Sequence, residues 1–278
     1  MSLIKLALKN FRNHKNFTFS FPLTTVIIGA NTVGKTSILE AIQFLSLGKS
    51  FKAQKDMDTI SESKDFARIE AVVQEDDGNT NLTLILALKE GRFTKKFMVN
   101  NVARRQNEFS SHFPSVLFTP EDLEIITDTP SLRRNYVNNV LSQTDKKYKM
   151  AVSIYEKALR QRNRMLYLMR EGKKMFSPSD FEYWDNILIN NGEIITDARD
   201  EFVNYINNAK KEVFDFEIFY DKSTITAERL EKYHDAERAT ATTLVGPNRD
   251  DFFFYSEADL RIWISWRAAS HYFSNENP

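Results

Sequence analysis

The sequence contains no cysteine, only 8 glycines among its 278 residues, and no net charge, with 38 basic and 38 acidic residues. Without cysteine the chain has no disulfide framework, no thiolate zinc site and no cysteine nucleophile. No apolar run approaches the roughly 20 residues that cross a bilayer, and the N-terminus lacks the apolar core of a signal peptide. These absences predict a protein of the cytoplasm, outside membranes.

What is present indicates a globular protein of one large or two modest domains, since 42% of the residues are hydrophobic and 27% are charged. The zero net charge hides an uneven distribution. Residues 1–55 contain eight basic residues and one acidic residue, and residues 144–174 contain ten basic and three acidic residues. Residues 175–278 contain ten basic and twenty acidic residues. Local fields govern binding to polyanions, so the balanced total does not exclude a nucleic-acid partner.

The N-terminal part has the pattern of strands. Residues 3–8 and 17–21 alternate in polarity, as half-buried strands do, and the short apolar run 25–28 is typical of a strand covered on both faces. Helical spacing follows over 36–47. Turn residues separate three further strand-like runs, which predict an antiparallel meander: 68–74, 82–88 and 92–99.

From Pro120 onward the strand signals disappear. Residues 145–170 predict a helix about 39 Å long, at 1.5 Å per residue, and Ser179 is the candidate N-cap for a second helix that reaches about residue 212. The two helices predict a separate helical lobe. A strand over 214–220 and a charged helix to about residue 238 follow.

The strongest motif is GANTVGKTS at residues 29–37, which matches the phosphate-binding loop G-x4-G-K-[ST] between an apolar run and a helix. In such a loop, backbone N–H groups converge on phosphate oxygens at a helix N-terminus. Lys35 would neutralise phosphate charge, and the Thr36 hydroxyl would ligate Mg²⁺. The predicted nucleotide-binding residues are Gly29, Ala30, Asn31, Thr32, Val33, Gly34, Lys35, Thr36 and Ser37.

Further segments make the pattern more specific. They are LKNFRN at 8–13, SILEAI at 37–42, KSFK at 49–52, FTPEDL at 118–123, PSLRR at 130–134 and GPNRDDF at 246–252. Together with the loop they resemble the RecF family of bacterial recombination mediators, which are ATPases related to SMC proteins and ABC heads. The match runs in family order to about residue 261. Thr32 stands where that family usually has glycine, and Asn248 where it usually has histidine.

The resemblance implies an α/β fold, a P-loop ABC-ATPase-like head with an antiparallel β meander and an inserted α-helical lobe. It predicts the following domains: 1–119, the N-terminal part of the ATPase lobe; 120–212, the helical lobe; 213–261, a return to the ATPase lobe; and 262–278, an aberrant tail.

The resemblance also implies a function. Members of the family are weak DNA-dependent ATPases of recombinational repair, replication restart and the SOS response. They bind ATP and Mg²⁺, form ATP-dependent homodimers, bind single-strand gaps and duplex junctions, and help load recombinase with RecO and RecR partners. Arg12 and Asn13 would line the nucleotide pocket, although Arg12 can equally be a solvated turn residue. Residues 118–123 would form the loop that senses the γ-phosphate.

The expected DNA contacts are basic residues near the P-loop and in the helical lobe, where each phosphate contact adds salt-dependent affinity. The candidates are Lys49, Lys52, Arg160, Arg162, Arg164, Lys173 and Lys174. The alternative for the helical members is an exposed face with intrahelical charge pairs.

After about residue 261 the chain stops matching the family. Residues 262–278 contain neither the ABC signature nor a Walker B strand, which predicts a frameshift with early termination, a head without its C-terminal part and no catalytic residue. Such a chain should not support ATP hydrolysis or ATP-driven dimerisation. Two alternatives remain: a non-enzymatic remnant that binds nucleotide or DNA weakly, and an unrelated P-loop kinase, for which neither acceptor pocket nor base is found.

Overall fold

The computed structural model describes residues 1–212 and 215–255, and the chain divides into two compact units, residues 1–118 and residues from 119 onward. The tail predicted to be aberrant, 262–278, lies outside the described residues. The predicted return of residues 213–261 to the ATPase lobe stays a prediction.

The first unit is built on one six-stranded antiparallel sheet with strand order β2-β1-β3-β4-β5-β6. Two helices belong to the same unit. The elements are β1 (Ser2–Phe11), β2 (His14–Ser20), α1 (Lys35–Leu47), β3 (Phe66–Glu75), β4 (Gly78–Lys89), β5 (Arg92–Val99), β6 (Val102–Arg104) and α2 (Gln106–Ser110).

Alternation places the hydrophobic core of this unit on one face of the sheet. Along β3 the side chains of Ala67, Ile69, Ala71 and Val73 are buried, while the residues between them are more exposed. Helix α1 packs its apolar residues against this face. The predicted meander is therefore confirmed, because period-2 burial is a local property of each strand.

The turn between β4 and β5 also follows the sequence prediction. Glu90 and Gly91 both have positive φ, 50° and 74°, as a two-residue hairpin turn of the favoured hand requires.

The predicted strand over residues 25–28 is wrong for this structure. These residues form no strand, and Val26 and Ile28 are 81% and 87% exposed. A strand needs hydrogen-bonding neighbours, and no described strand pairs with this segment. The apolar composition was correct for a buried strand, but the pairing that creates one is a tertiary property.

The second unit is mainly helical. Its elements are α3 (Pro130–Thr144), α4 (Lys146–Arg170), α5 (Pro178–Asn208), β7 (Glu217–Asp221), α6 (Ala227–Thr240) and β8 (Asp251–Tyr255). Strands β7 and β8 pair with each other in a two-stranded antiparallel sheet, where the rings of Tyr220 and Phe252 stack at 4.8 Å.

The two long helices of this unit begin close to where they were expected. The Asp145 side chain accepts hydrogen bonds from the backbone N–H groups of Lys147 and Tyr148, at 2.7 and 3.0 Å, and so caps α4. Helix α5 begins earlier than predicted, because its N-cap is Ser177 and not Ser179. It ends at Asn208 rather than at residue 212.

Candidate nucleotide-binding site

The P-loop leads directly into α1. Gly34 is the N-cap of this helix, with φ 99°, and Lys35 is its first residue. Thr36 and Ser37 therefore lie in the first helical turn, where backbone N–H groups have no partners within the helix. This local geometry is the one that binds anions at helix N-termini.

The Lys35 side chain folds back over the loop. Its ammonium donates hydrogen bonds to the carbonyl oxygens of Gly29 and Ala30, both at 2.7 Å. The Thr36 hydroxyl has no hydrogen-bond partner in the described part of the chain and is exposed. A cation and a free hydroxyl thus lie at the same end of α1.

Asn13 in the β1–β2 turn and His14 at the start of β2 hold the loop from the side. Asn13 donates from Nδ2 to the carbonyl oxygen of Thr32 at 3.1 Å, and His14 Nε2 lies 3.1 Å from the carbonyl oxygen of Gly34. A Cβ atom at residue 34 would lie 2.5 Å from Asn13 Oδ1. The positive φ therefore favours glycine there, and an added Cβ would displace the Asn13 and His14 side chains from their contacts with the loop.

Arg12 is an ion-pair partner of α1. Its guanidinium donates two hydrogen bonds to the Glu40 carboxylate, 2.8 Å from Nε to Oε2 and 2.6 Å from Nη2 to Oε1, and a third to the carbonyl oxygen of Asp58 at 3.0 Å. The hydrogen bond to Glu40 raises the pKa of Arg12 above its ordinary value. Arg12 thus anchors the turn that carries Asn13 and His14, and is not a freely solvated turn residue.

Sequence reasoning missed the buried polar cluster around Glu40. The Glu40 side chain is 1% exposed and also accepts a hydrogen bond from the Ser50 hydroxyl at 2.5 Å. Nearby, Asp56 accepts hydrogen bonds from the Ser50 backbone N–H at 2.9 Å and from Lys95 Nζ at 2.8 Å. The sequence did contain a signal for this cluster, because Glu40 is a carboxylate among the apolar residues of α1.

The basic residues proposed for DNA contact differ in exposure. Those that the structure leaves exposed are Lys49, Lys52, Arg160, Arg164, Lys173 and Lys174. Arg160 lies 3.9 Å from Glu156, and Lys173 lies 4.0 Å from Glu171, both as loose surface pairs. Such pairs hold little free energy, so these side chains can turn to another anion.

Arg162 corrects the sequence prediction. Its side chain is 1% exposed and is paired with Asp185 and Glu237, both at 2.6 Å. It cannot reach a DNA phosphate, because it is buried and its Nε and Nη1 donors are used inside the helical unit. The position of Arg162 along α4 indicated its burial. The buried residues of α4 recur three or four positions apart, and Arg162 is one of this series: Tyr155, Ala158, Arg162, Leu166 and Met169.

Comparison with known proteins identifies the family. The sequence matches the AAA ATPase domain family over residues 1–257. It is 31% identical over 293 residues to the DNA replication and repair protein RecF of Halalkalibacterium halodurans, covering 95% of this chain and 76% of that protein. It is 33% identical over 294 residues to RecF of Latilactobacillus sakei subsp. sakei, with the same coverage.

The chain belongs to the RecF family. The fold agrees, since the structure of the recombination mediator protein RecF-ATP in the RecFOR pathway superposes with a TM-score of 0.83 at 27% identity, over 96% of this chain and 76% of that one. A second structure, of RecF-ATPrS, gives 0.84 at 27% identity, over 97% and 78%. The predicted α/β head with its antiparallel sheet is confirmed.

The two departures from the usual RecF pattern occupy different environments. Thr32, where RecF usually has glycine, has φ 71°. A β-branched residue rarely adopts this left-handed conformation, so glycine is the expected residue and threonine introduces local strain. Asn248, where RecF usually has histidine, accepts a 2.7 Å hydrogen bond from the Tyr155 hydroxyl.

The RecF-like segment 246–252 supplies buried acids to the helical unit. Asp250 is fully buried and accepts a hydrogen bond from Arg199 at 2.6 Å and one from the Tyr220 hydroxyl. Asp251 is bound at two points by Arg133, at 2.7 and 3.1 Å. Both acids are therefore paired with arginines inside the fold.

In the described part of the chain, no helix combines the length and apolar character needed to cross a bilayer.

Proposed function

We infer that this chain binds ATP with Mg²⁺ at residues 29–37 and acts as an ATP-dependent DNA-binding protein of recombinational repair and replication restart. The observation that carries this proposal is the P-loop geometry in a chain that belongs to the RecF family. Lys35 and Thr36 meet there at the N-terminus of α1, beside the carbonyl oxygens of Gly29 and Ala30.

The residues present fit a magnesium nucleotide. Mg²⁺, when bound, neutralises charge on the phosphate oxygens. The Thr36 hydroxyl would hold the ion, because it is exposed and has no partner among the described residues. Lys35 would exchange its two carbonyl acceptors for phosphate oxygens, which bind an ammonium more strongly because they are charged.

Residues 12–14 position this loop. The Arg12–Glu40 ion pair fixes the β1–β2 turn against α1, and Asn13 and His14 then contact the loop backbone at 3.1 Å. We propose that Asn13 lies beside the bound nucleotide, while Arg12 acts through the orientation of the turn. Residues 118–123 are proposed to sense the γ-phosphate, as the resemblance to RecF implies.

The proposed DNA substrates are single-strand gaps and duplex junctions, with loading of recombinase as the outcome. RecO and RecR types of mediator protein are the proposed partners, and the cytoplasm is the proposed location. The exposed basic residues at 49, 52, 160, 164, 173 and 174 are proposed phosphate contacts.

Two measurements test this proposal. Isothermal titration with ATP and Mg²⁺ should show binding that weakens at least tenfold in Lys35→Ala and not in Lys146→Ala, an exposed lysine on α4. Phosphate release with and without duplex DNA then measures turnover. DNA-stimulated turnover that Lys35→Ala abolishes identifies an active ATPase, whereas binding without turnover identifies a nucleotide-binding remnant. Equal ATP affinity in both variants and the wild type would reject the proposed site.

A further inference from the structure

The face of the six-stranded sheet that is turned away from α1, here called the outer face, carries a surplus of positive charge. Its residues alternate along the strands with the buried core residues. The basic residues of this face are Lys5, Lys9, Arg68, Lys89, Arg92 and Lys96. Its one acid among the described strand residues is Glu70, which leaves an excess of five positive charges.

The strand register brings three of these cations into one row. Lys9 lies opposite Arg68, Arg68 opposite Ile85, and Ile85 opposite Lys96. Adjacent strands are about 4.8 Å apart, so the row spans about 14 Å across four strands. Arg92 lies four residues from Lys96 along β5, about 13 Å away at 3.3 Å per residue.

Most of these cations have no carboxylate partner. Glu70 is taken by Arg68, with 2.7 Å between Oε1 and Nη2. Lys5, Lys9, Lys89, Arg92 and Lys96 form no ion pair with any described residue. Lys95, whose side chain is turned to the opposite face, shows the contrast, because it binds Asp56 and the carbonyl oxygen of Gly48, both at 2.8 Å.

Between the cations, the surface is partly formed by apolar side chains that do not protrude. Ala7, Val72, Ile85 and Met98 are half-buried there. Phe66 is 38% exposed, and Lys9 Nζ lies 5.7 Å from the centre of its ring. Recessed apolar side chains do not insert into a membrane, whereas a fixed row of cations matches a continuous line of phosphates.

We propose that the outer face of the sheet binds the phosphate backbone of DNA, through Lys9, Arg92 and Lys96. Charge complementarity selects this occupant, because about 14 Å of duplex carries about eight phosphate charges. The inference rests on the proposed DNA-binding function and adds a surface to it. The surface lies outside the P-loop and outside the helical lobe, and none of its residues belongs to the sequence-predicted DNA contacts.

The test compares two triple variants that remove the same charge. One is Lys9→Gln/Arg92→Gln/Lys96→Gln on the outer face. The matched control is Lys146→Gln/Lys157→Gln/Lys210→Gln, which removes three exposed lysines of the helical unit. The affinity of the full chain for gapped duplex, duplex and single-stranded DNA is measured by fluorescence anisotropy from 50 to 200 mM salt. ATP affinity and binding to vesicles with an anionic lipid are measured in parallel.

We expect the outer-face variant to bind DNA at least tenfold more weakly and to lower the salt slope by about 2 to 3, since each lost phosphate contact contributes about 0.9. Its ATP affinity and the DNA affinity of the control variant should stay within threefold of wild type. Equal losses in both triple variants, or wild-type affinity in the outer-face variant, would overturn the outer-face assignment alone. Wild-type binding to anionic vesicles but not to DNA would overturn both this inference and the proposed DNA-binding function.

Discussion

Arg12 and Glu40 join the β1–β2 turn to the helix that follows the P-loop, although 28 positions separate them in the sequence. The pair has two hydrogen bonds, and its carboxylate is 1% exposed while the arginine side chain is 25% exposed. The nucleotide loop therefore has a rigid support on one side. The same turn places Asn13 and His14 against the loop backbone.

Removing either partner of this ion pair should destabilise the fold. Arg12→Met leaves a carboxylate buried without its cation, and Glu40→Gln leaves the guanidinium without a charge partner. We expect each to lower the free energy of unfolding by about 2 kcal/mol, below the value for a fully buried pair because Arg12 is partly exposed. Urea unfolding of the single and double variants measures the coupling, which should exceed about 1 kcal/mol.

The Arg68–Glu70 pair is the matched control for that cycle. Its side chains are 41% and 45% exposed, so we expect a coupling below about 0.5 kcal/mol. Similar coupling in the two cycles would show that burial of Glu40 adds nothing.

Gly34→Ala should damage the loop, because alanine is strained at this φ and its Cβ would displace the two side chains that contact the loop. A Cβ atom there would lie 2.5 Å from Asn13 Oδ1 and 2.6 Å from His14 Nε2, at a positive φ of 99°. Gly91→Ala is the control, because it has a φ of 74° but no atom within 4 Å of its Cβ position. We expect about 1 kcal/mol of destabilisation for Gly91→Ala and about 2 kcal/mol or more for Gly34→Ala, measured by urea unfolding.

ATP titration of the same two variants separates loop geometry from general stability. Gly34→Ala should weaken ATP binding more than tenfold, and Gly91→Ala should leave it unchanged. An unchanged ATP affinity in Gly34→Ala would contradict the proposed role of this helix N-terminus.

Arg162→Met should be among the most destabilising changes in the helical unit. It leaves Asp185 and the fully buried Glu237 without their shared cation, at an expected loss of about 3 to 5 kcal/mol. Arg164→Met, two positions along on the exposed face, should change the unfolding free energy by less than about 0.5 kcal/mol. Thermal and urea unfolding measure both. A stable Arg162→Met protein with weakened DNA binding would restore the original prediction of a DNA contact.

The stability of the helical unit should decline at high pH through Tyr220. Burial, followed by the nearby Asp250 carboxylate, raises the pKa of Tyr220 above its ordinary value of 10.0. A raised pKa means that the contribution of this hydroxyl is complete below pH 10 and is lost as the pH rises above it. Tyr220→Phe should cost about 1 to 2 kcal/mol at pH 7.

The measurement compares urea unfolding of wild type and Tyr220→Phe between pH 7 and pH 11. The difference between the two should shrink above pH 10. A constant difference across that range would mean that the Tyr220 hydroxyl keeps its proton equally in the folded and unfolded states.

Much of the fold could be predicted from the sequence, because the patterns that indicate its strands and helices are local. Period-2 alternation predicted β3, β4 and β5, and Asp145 and Gly34 mark helix starts through contacts within a few residues. The loop at 29–37 was equally readable, since spacing alone defines it. The sequence did not show that residues 25–28 form no strand, because a strand exists only where distant residues supply its hydrogen bonds.

The sequence by itself determined the P-loop, the antiparallel meander and the RecF resemblance, because each depends on residue type and spacing along the chain. Only the tertiary structure decided which charged side chains are buried in ion pairs and which are exposed without a partner. Arg162 is buried because α5 and α6 bring acids to it from 23 and 75 positions away, while Lys9, Arg68 and Lys96 share one row because three strand pairings align them. The fold decides whether a basic side chain is paired with an acid in the core or left as an unpaired cation on the surface. The acid that pairs with it is rarely close in sequence.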